Sequence, residues 1–262
     1  MLSKALSSDI TSYDLIKAFA VIIMIVDHTG YYFFPDEQWW RAIGRIGFPV
    51  WFFLVGYSSG RGWPVKLLAG AAILTVMNFF TGLPIFPLNA LVTIMIIRLL
   101  LDHIMNPVMK DNRLIWPISL VLICLIPPSY YVAEYGTQAI ITAIFGYLVR
   151  HREKLKNEKL LIQYMFLALI SFVLSQQMKF GFNMPQFAFM ALGTMVVRTA
   201  LLEFKPKSFP ELTGKTPFAI SEAIRFMGRR TLEIYIGHLI LFKMAALLTG
   251  DGRFEWFRLS WV

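Results

Sequence analysis

The chain has 262 residues, of which 57% are hydrophobic, 15% aromatic and only 16% charged. This composition excludes an ordinary soluble domain and is typical of a membrane protein with several spans. The formal net charge of +9 would also suit a nucleic-acid-binding protein, but the basic residues lie mostly in short segments between apolar runs. Membrane topology explains that distribution, so we expect lipid as the surroundings and no nucleic-acid partner.

The sequence predicts an all-α bundle of about nine membrane helices, with eight to ten as the range, in one domain over residues 1–262. The fifth and sixth stretches are short and contain or adjoin Pro117, Pro127 and Pro128, so a re-entrant pair is an alternative to two full spans. The predicted spans are 13–34, 42–60, 64–80, 88–104, 114–128, 134–149, 160–178, 185–202 and 230–249.

The basic residues predict the orientation of this bundle. Sixteen of the 25 Lys and Arg residues fall in segments on one side of the predicted spans, and Arg41, Lys179, Arg253 and Arg258 fall on the other. This bias predicts a cytoplasmic N-terminus. The basic, proline-containing segment 203–229 is the longest predicted loop, and we expect it on the cytoplasmic surface.

The remaining five basic residues lie deeper within predicted spans and are counted to neither side: Lys17, Arg45, Arg98, Arg198 and Lys243. Arg198 is near a cytoplasmic helix end, and we expect its side chain to extend to the membrane surface. The other four need separate interpretations, because a charge inside an apolar segment is costly unless it is paired or functional.

The first predicted span carries Lys17 near one end and the pair Asp27-His28 deep inside. Lys17 and His28 are eleven residues apart, about three helical turns, so their side chains project from the same face. Counted from Tyr13, the helical rise puts Lys17 ~6 Å and His28 ~22 Å into the membrane. The sequence thus predicts that Lys17 and His28 lie in different layers of the membrane, Lys17 near the cytoplasmic side and His28 in the outer half.

Each of these two residues has an ordinary and a functional interpretation. His28 is either a packed histidine bonded across helices or a general base, since imidazole titrates near neutral pH and can accept a proton from an attacking amine or hydroxyl. Lys17 either extends toward the cytoplasm or supplies positive charge to an anionic cofactor.

Arg45 lies in a second unusual stretch, about one turn below the outer end of its predicted span, and therefore in the same membrane layer as His28. The neighbouring Gly44 favours close helix contact, which does not explain an arginine. We expect Asp27 to pair with Arg45 or Arg98, because pairing removes the cost of an isolated buried charge. Arg45 could also bind an anionic group or stabilise an oxyanion.

The last predicted span contains Glu233, Tyr235, Gly237 and His238. Glu233 and Gly237 are one turn apart, and Tyr235 and His238 share a face. These residues either form a polar network between helices or take part directly in chemistry, and the sequence leaves both interpretations open. The four histidines of the chain are dispersed without zinc-ligand spacing, so we predict no metal site.

Two sets of motifs resemble known families. Lys17, ten intervening residues and His28 resemble the basic-x10-His signature of the acyltransferase-3 family of integral-membrane acyltransferases. A closer resemblance, to the TraX family of conjugal-transfer proteins, covers both ends of the chain. It rests on Asp14-Leu-Ile-Lys17, Met24-Ile-Val-Asp27-His28, Gly44-Arg45-Ile-Gly-Phe-Pro49 and Gly228-Arg-Arg-Thr-Leu-Glu-Ile-Tyr-Ile-Gly-His238.

The resemblance implies acetyl transfer across a bacterial inner membrane, from cytoplasmic acetyl-CoA to an acceptor at the far side. In the TraX family the acceptor is the N-terminal amine of pilin, whereas acyltransferase-3 proteins usually modify hydroxyls of surface glycans. The motif positions carried over are Lys17 and His28. Our own assignments add Asp27 and Arg45 to the catalytic group, and Arg45 and Arg98 to the residues that bind acetyl-CoA.

The chain also departs from the acyltransferase-3 pattern. Lys17 stands where arginine is commonest, Phe53-Leu-Val-Gly-Tyr57 replaces the usual Phe-Ser-Gly-Phe type of run, and the predicted bundle is one helix short of ten. These differences favour the TraX family and weaken the glycan interpretation. Two hypotheses from other classes are a transporter or flippase with a charged path, and a non-catalytic assembly factor for a conjugation or secretion machine.

Overall fold

The structure is a computed structural model that describes residues 8–62, 64–155, 157–250 and 252–257. Lys4, Lys156 and Arg258, which contributed to the predicted orientation, lie outside the described residues. The described part of the chain forms twelve α-helices, with isolated bridges but no strand. The helices are α1 Ser12–Phe33, α2 Gln38–Tyr57, α3 Val65–Phe80, α4 Ala90–Lys110, α5 Ile115–Cys124, α6 Ile126–Ser129, α7 Gly136–Arg150, α8 Lys159–Phe180, α9 Met184–Leu202, α10 Pro210–Lys215, α11 Phe218–Arg229 and α12 Thr231–Leu248.

Five of the described helices, namely α1, α4, α8, α9 and α12, are long and apolar enough to cross a membrane. All nine predicted spans fall on helices, and the predicted all-α membrane bundle is confirmed. We call the end at which α1 begins the inner end, which the basic residues predict to be cytoplasmic, and the opposite end the outer end. Bridges tie loops at both ends, Thr11 to Ser208 at the inner end and Leu88 to Ala133 at the outer end.

Local sequence signals explain where several helices begin and break. The Thr11 hydroxyl accepts a hydrogen bond from the Asp14 backbone N–H, and the Asp14 carboxylate accepts one from the Thr11 N–H, which together form a capping box for α1. Asn183 and Gln186 form the same arrangement at the start of α9. Pro127 and Pro128 follow the break at Leu125, where α5 ends and the short α6 begins.

Glycines allow α2 to lie very close to α1 and α7. A Cβ atom on Gly44 would overlap the side chain of Asp27 on α1, and one on Gly56 would overlap the backbone of Ala143 on α7. On α7, Gly146 faces the backbone of Phe53 in the same way. Close contact through small residues is a common way for membrane helices to associate, because lipid provides no hydrophobic driving force between them.

The structure corrects several predicted boundaries. α2 begins at Gln38, four residues before the predicted start, so Arg45 lies two turns below the outer end of its helix instead of one. Arg41, which we assigned to an outer loop, lies inside the same helix. The predicted span 114–128 is divided at Leu125, and the predicted loop 203–229 contains two helices, α10 and α11.

The prediction for Arg198 was wrong. Its side chain does not reach the surface but is fully buried, with Nη2 donating to the Thr142 hydroxyl at 3.3 Å and the guanidinium near the rings of Phe145 and Phe172. The face of α9 that carries Arg198 packs into the bundle, where aromatic side chains of α7 and α8 surround the guanidinium. The position of Arg198 along α9 did not predict which side chains of the neighbouring helices would surround it.

The α2–α7 contact generates a test with a matched control. Gly146→Ala should lower the stability of the purified protein by about 1–3 kcal/mol, because the new methyl group must displace the backbone near Phe53. Gly237→Ala, in α12, should not destabilise, because within the described residues no side chain and no other helix approaches within 4 Å of a Cβ at that position. Thermal unfolding of both variants in the same detergent measures the difference, and equal unfolding temperatures would contradict the close packing of α2 and α7.

Candidate functional site

A cavity of about 150 Å³, partly open to the surroundings, lies among α1, α2, α3, α4 and α12. Along α1 it extends from Ala20 to His28, which is about 12 Å of helical rise. Its wall is mostly apolar and aromatic, and its ionisable groups lie toward the outer end. The lining residues include Met24, Asp27, His28, Gly44, Arg45, Phe48, Trp51, Leu67, Ala90, Ile94, Tyr135, Thr231 and Tyr235.

The Asp27 carboxylate binds two arginines of α2. Arg45 donates from Nε to Oδ1 at 3.2 Å and from Nη2 to Oδ2, and Arg41 donates from Nη1 to Oδ2 at 2.8 Å and to the Asp27 backbone carbonyl at 2.9 Å. Asp27 and Arg45 are each only 3% exposed, so the pair is held away from solvent. This geometry confirms the expected pairing of Asp27 with Arg45 and excludes Arg98 as its partner in this structure.

Aromatic rings surround the two guanidinium groups. The ring of Phe180 lies 5.2 Å from the guanidinium carbon of Arg41 and 5.3 Å from that of Arg45. Tyr135 lies 5.8 Å from the guanidinium carbon of Arg45. These contacts fall within the range of cation–π attraction, which adds to the stabilisation by Asp27.

His28 is bonded to the last membrane helix. Its Nδ1 lies 2.6 Å from Nε2 of His238, with the ring centroids 4.9 Å apart and 21° between the ring planes, so the two rings meet edge to edge. Nδ1 of His238 lies 2.7 Å from the backbone carbonyl of Ile234, one turn earlier in α12. The ordinary interpretation of His28 as a histidine bonded across helices is therefore correct, but His28 also lines the cavity and its Nε2 is not part of this chain of bonds.

Tyr135 reaches the cavity from a loop at the outer end. Its backbone is in the left-handed region, with φ +68°, which is uncommon for a residue other than glycine and is found more often at functional sites. The preceding residue, Glu134, accepts a hydrogen bond from the Ala90 backbone N–H at 3.1 Å through its side chain and one from the Thr93 hydroxyl at 2.7 Å through its carbonyl. The loop is thereby fixed to the start of α4.

Lys17 and Arg98, the two other predicted site residues, do not line the cavity. Lys17 lies one turn before Ala20 on α1, with Nζ 5.9 Å from the centre of the Tyr13 ring. Arg98 lies one turn beyond Ile94 on α4 and donates from Nη2 to the carbonyl of Gly62 at 3.1 Å. Both therefore lie just beyond the inner end of the cavity wall, and neither contacts His28, Asp27 or Arg45.

Sequence reasoning missed four contributors to this site. Arg41 was assigned to a loop, although its four-residue spacing from Arg45 could have placed both on one helical face. His238 was noted without a partner, since periodicity along α12 shows its face but not the helix it meets. Glu134 and Tyr135 were assigned to a span, and no sequence signal indicated that they close the outer end as a loop.

The helices and the cavity define a multi-pass membrane protein whose charged and histidine side chains meet between its first, second and last spans. The chain matches the family model described as TraX protein over residues 12–245, and it belongs to the TraX family. It is also 28% identical over 144 residues to an uncharacterized protein of Rickettsia prowazekii (strain Madrid E). That match covers 55% of this chain and 58% of the relative. No solved structure matches the chain.

The buried ion-pair network gives a test of stability. Asp27→Asn should lower the free energy of unfolding by about 3–5 kcal/mol, because it leaves the guanidinium groups of Arg41 and Arg45 without their counter-charge. Glu233→Gln is the control, since the Arg230–Glu233 ion pair is exposed and such pairs contribute little. Thermal unfolding in one detergent compares the two variants, and an equal effect would mean that Asp27 does not stabilise α2 against α1.

Proposed function

We propose that this protein is an integral-membrane acetyltransferase, which moves an acetyl group from cytoplasmic acetyl-CoA to an acceptor at the outer side of a bacterial inner membrane. The expected acceptor is the N-terminal amine of a pilin, as implied by the resemblance to TraX proteins. The observation that carries the proposal is the cavity, because it lines up a histidine and a buried arginine with a mostly apolar passage toward the inner end.

The inner end of the cavity suits the negatively charged part of acetyl-CoA. Lys17 and Arg98 lie about one turn beyond its wall, while Lys66 and Arg230 are the neighbours in sequence of the lining residues Leu67 and Thr231. Phosphate groups bind well to such clusters of Lys and Arg. The acetyl-CoA phosphates would stay at this end, and the apolar wall would accept the pantetheine arm.

The outer end of the cavity suits the transfer step. The acceptor nitrogen attacks the thioester carbonyl carbon, the carbon–sulfur bond breaks, and the amine proton passes through His28 to the CoA sulfur. Arg45 uses Nε and Nη2 to bind Asp27 and lines the cavity, so an N–H of its guanidinium group that does not bind Asp27 would stabilise the negative oxygen of the intermediate. Asp27 serves to hold Arg45 in place.

His28 is the residue whose loss tests the proposed chemistry. His28→Ala should abolish acetyl transfer by the purified protein and leave membrane insertion intact, because it removes the base while the Asp27–Arg45 pair still joins α1 and α2. CoA release from acetyl-CoA in the presence of an acceptor measures transfer, and His103→Gln, on an exposed face of α4, is the control. Near-wild-type transfer by the alanine variant would remove His28 from the mechanism.

The basic residues at the inner end provide a second test. Lys17→Gln and Arg98→Gln should each raise the KM for acetyl-CoA roughly 3- to 10-fold with little change in kcat, since they would bind phosphate groups far from the reacting atoms. Lys110→Gln, at the exposed end of the same helix as Arg98, is the control for charge alone. An unchanged KM in both variants, or an equal rise in the control, would place the phosphates elsewhere.

Binding of acetyl-CoA separates the enzyme from a transporter or an assembly factor. Acetyl-CoA at micromolar to millimolar concentration should stabilise the detergent-purified protein against heat, whereas an assembly factor would not respond and a transporter would move its substrate without consuming acetyl-CoA. Mass spectrometry of pilins and envelope glycans, with and without the protein, then identifies the acceptor. An acetyl group on glycan hydroxyls alone would replace the pilin amine by the glycan acceptor.

A further inference from the structure

His238 contacts the side of His28 that faces away from the cavity. The proposed role of His28 as a base does not by itself require His238. The His238 ring is 9% exposed and does not line the cavity, so it is not positioned to contact a ligand there. It contacts the proposed base directly, with 2.6 Å between His28 Nδ1 and His238 Nε2. Which of the two histidines donates this hydrogen bond depends on which ring nitrogens carry protons. The hydrogen-bond acceptors around the rings determine those positions.

The carbonyl of Ile234 sets the protonation pattern of His238. A carbonyl oxygen only accepts hydrogen bonds, so the Nδ1 atom 2.7 Å from it must carry the proton. In a neutral imidazole one nitrogen donates and the other accepts, so Nε2 of His238 is then bare. Because a bare nitrogen accepts, the facing Nδ1 of His28 must carry its proton, and Nε2 of His28 is left bare.

The charges around the two rings favour a neutral pair. Asp27 precedes His28 in sequence, but its single negative charge is opposed by the positive charges of Arg41 and Arg45. On the α12 side, Tyr235 is the ionisable neighbour, with its ring 6.2 Å from His28 and 5.9 Å from His238. A proton added to either histidine would therefore add a positive charge to a site that already has one more positive than negative charge and a low dielectric constant.

We propose that His238 is a positioning residue that keeps His28 in the form with Nδ1 protonated and Nε2 bare, the form that accepts a proton from the acceptor. This inference rests on the proposed acetyl transfer. Free imidazole side chains prefer the opposite form, in which Nε2 carries the proton and has no basic lone pair. When His28 accepts the acceptor proton, its Nδ1–H bond to His238 also stabilises the imidazolium.

The same arrangement explains the orientation of the ring. The His28 Nδ1–H bond joins the two rings edge to edge, with 21° between their planes, and restricts rotation of His28 about its side-chain bonds. A base held in one orientation needs less ordering when substrate arrives. Residues that orient a catalytic histidine through its Nδ1 atom have this dual role in the proteases that use a Ser-His-Asp triad.

The decisive measurement is solid-state ¹⁵N NMR of histidine-labelled full-length protein in lipid bilayers. His103→Gln combined with His151→Gln leaves His28 and His238 as the two histidines of the chain, and both replaced residues are outside the site. Protonated and bare ring nitrogens give well-separated signals. We expect both rings to carry their protons on Nδ1, and His238→Leu should shift His28 to the form with Nε2 protonated.

Kinetics of two His238 variants complete the test. His238→Leu should lower kcat about 10²-fold with the KM for acetyl-CoA nearly unchanged, since the base is present but in the wrong form. His238→Gln should retain much more activity, because its side-chain oxygen can accept the His28 Nδ1–H bond. Equal losses in the two variants would indicate a packing role, and wild-type kcat in the leucine variant would show that His238 is not required.

The two proposals fail separately. A proton on Nε2 of His28 in the unaltered pair overturns the role of His238, whatever the enzyme does. If the NMR signals agree with the assignment but the protein neither binds nor consumes acetyl-CoA, the proposed function is wrong and the protonation pattern stands. Thermal unfolding of each variant verifies that the comparison is made on folded protein.

Discussion

Two guanidinium groups, those of Arg41 and Arg45, are held inside the bundle by the carboxylate of Asp27. Removing such charges from water costs several kcal/mol for each ion, so they are stable there only when the partner is present and well placed. This requirement fixes the register of α2 against α1, and Gly44 is the residue that leaves room for the Asp27 side chain. Because the next residue along a helix points ~100° away, the same register turns His28 toward α12.

A second contact between α1 and the end of the chain lies at the inner end. The Asp14 carboxylate, which already caps α1, accepts hydrogen bonds of 3.2 Å from Nε and Nη2 of Arg229, and a Cβ on Gly228 would collide with the Asp14 backbone. α12 starts two residues after Arg229. The contacts of Asp14 therefore fix the inner end of α12 against α1. The bond between His28 and His238 joins the same two helices further toward the outer end.

Properties carried by single segments were predictable from the sequence. Apolar length predicted nine spans that all fall on helices, five of them long and apolar enough to cross a membrane. The cost of a buried charge pointed to Asp27, His28 and Arg45, which the structure brings to one cavity. Pairing between distant segments was not predictable, because periodicity shows which face a residue occupies and not what lies opposite. His28 and His238 are 210 residues apart in the chain, and nothing in either segment specifies the other.

The errors have the same physical origin. Arg198 was assigned to the surface from its position near a helix end, yet the packing of α7, α8 and α9 encloses it. Helix ends were misplaced at α2 and α7 because hydropathy changes gradually at the membrane boundary, whereas helices end where turns and caps permit. Arg41 and Tyr135, both close to such boundaries, were lost from the predicted site for this reason.

The cavity takes its walls from both ends of the chain, and this has a consequence for how the protein is made. Translation and membrane insertion proceed from the N-terminus, so α1 and α2 can pair their charges as soon as both have left the ribosome. His238, the partner of His28 on α12, is synthesised only after nearly two hundred further residues. Insertion intermediates would thus hold a stable first hairpin and an incomplete cavity, whose wall is completed only when α12 is in place.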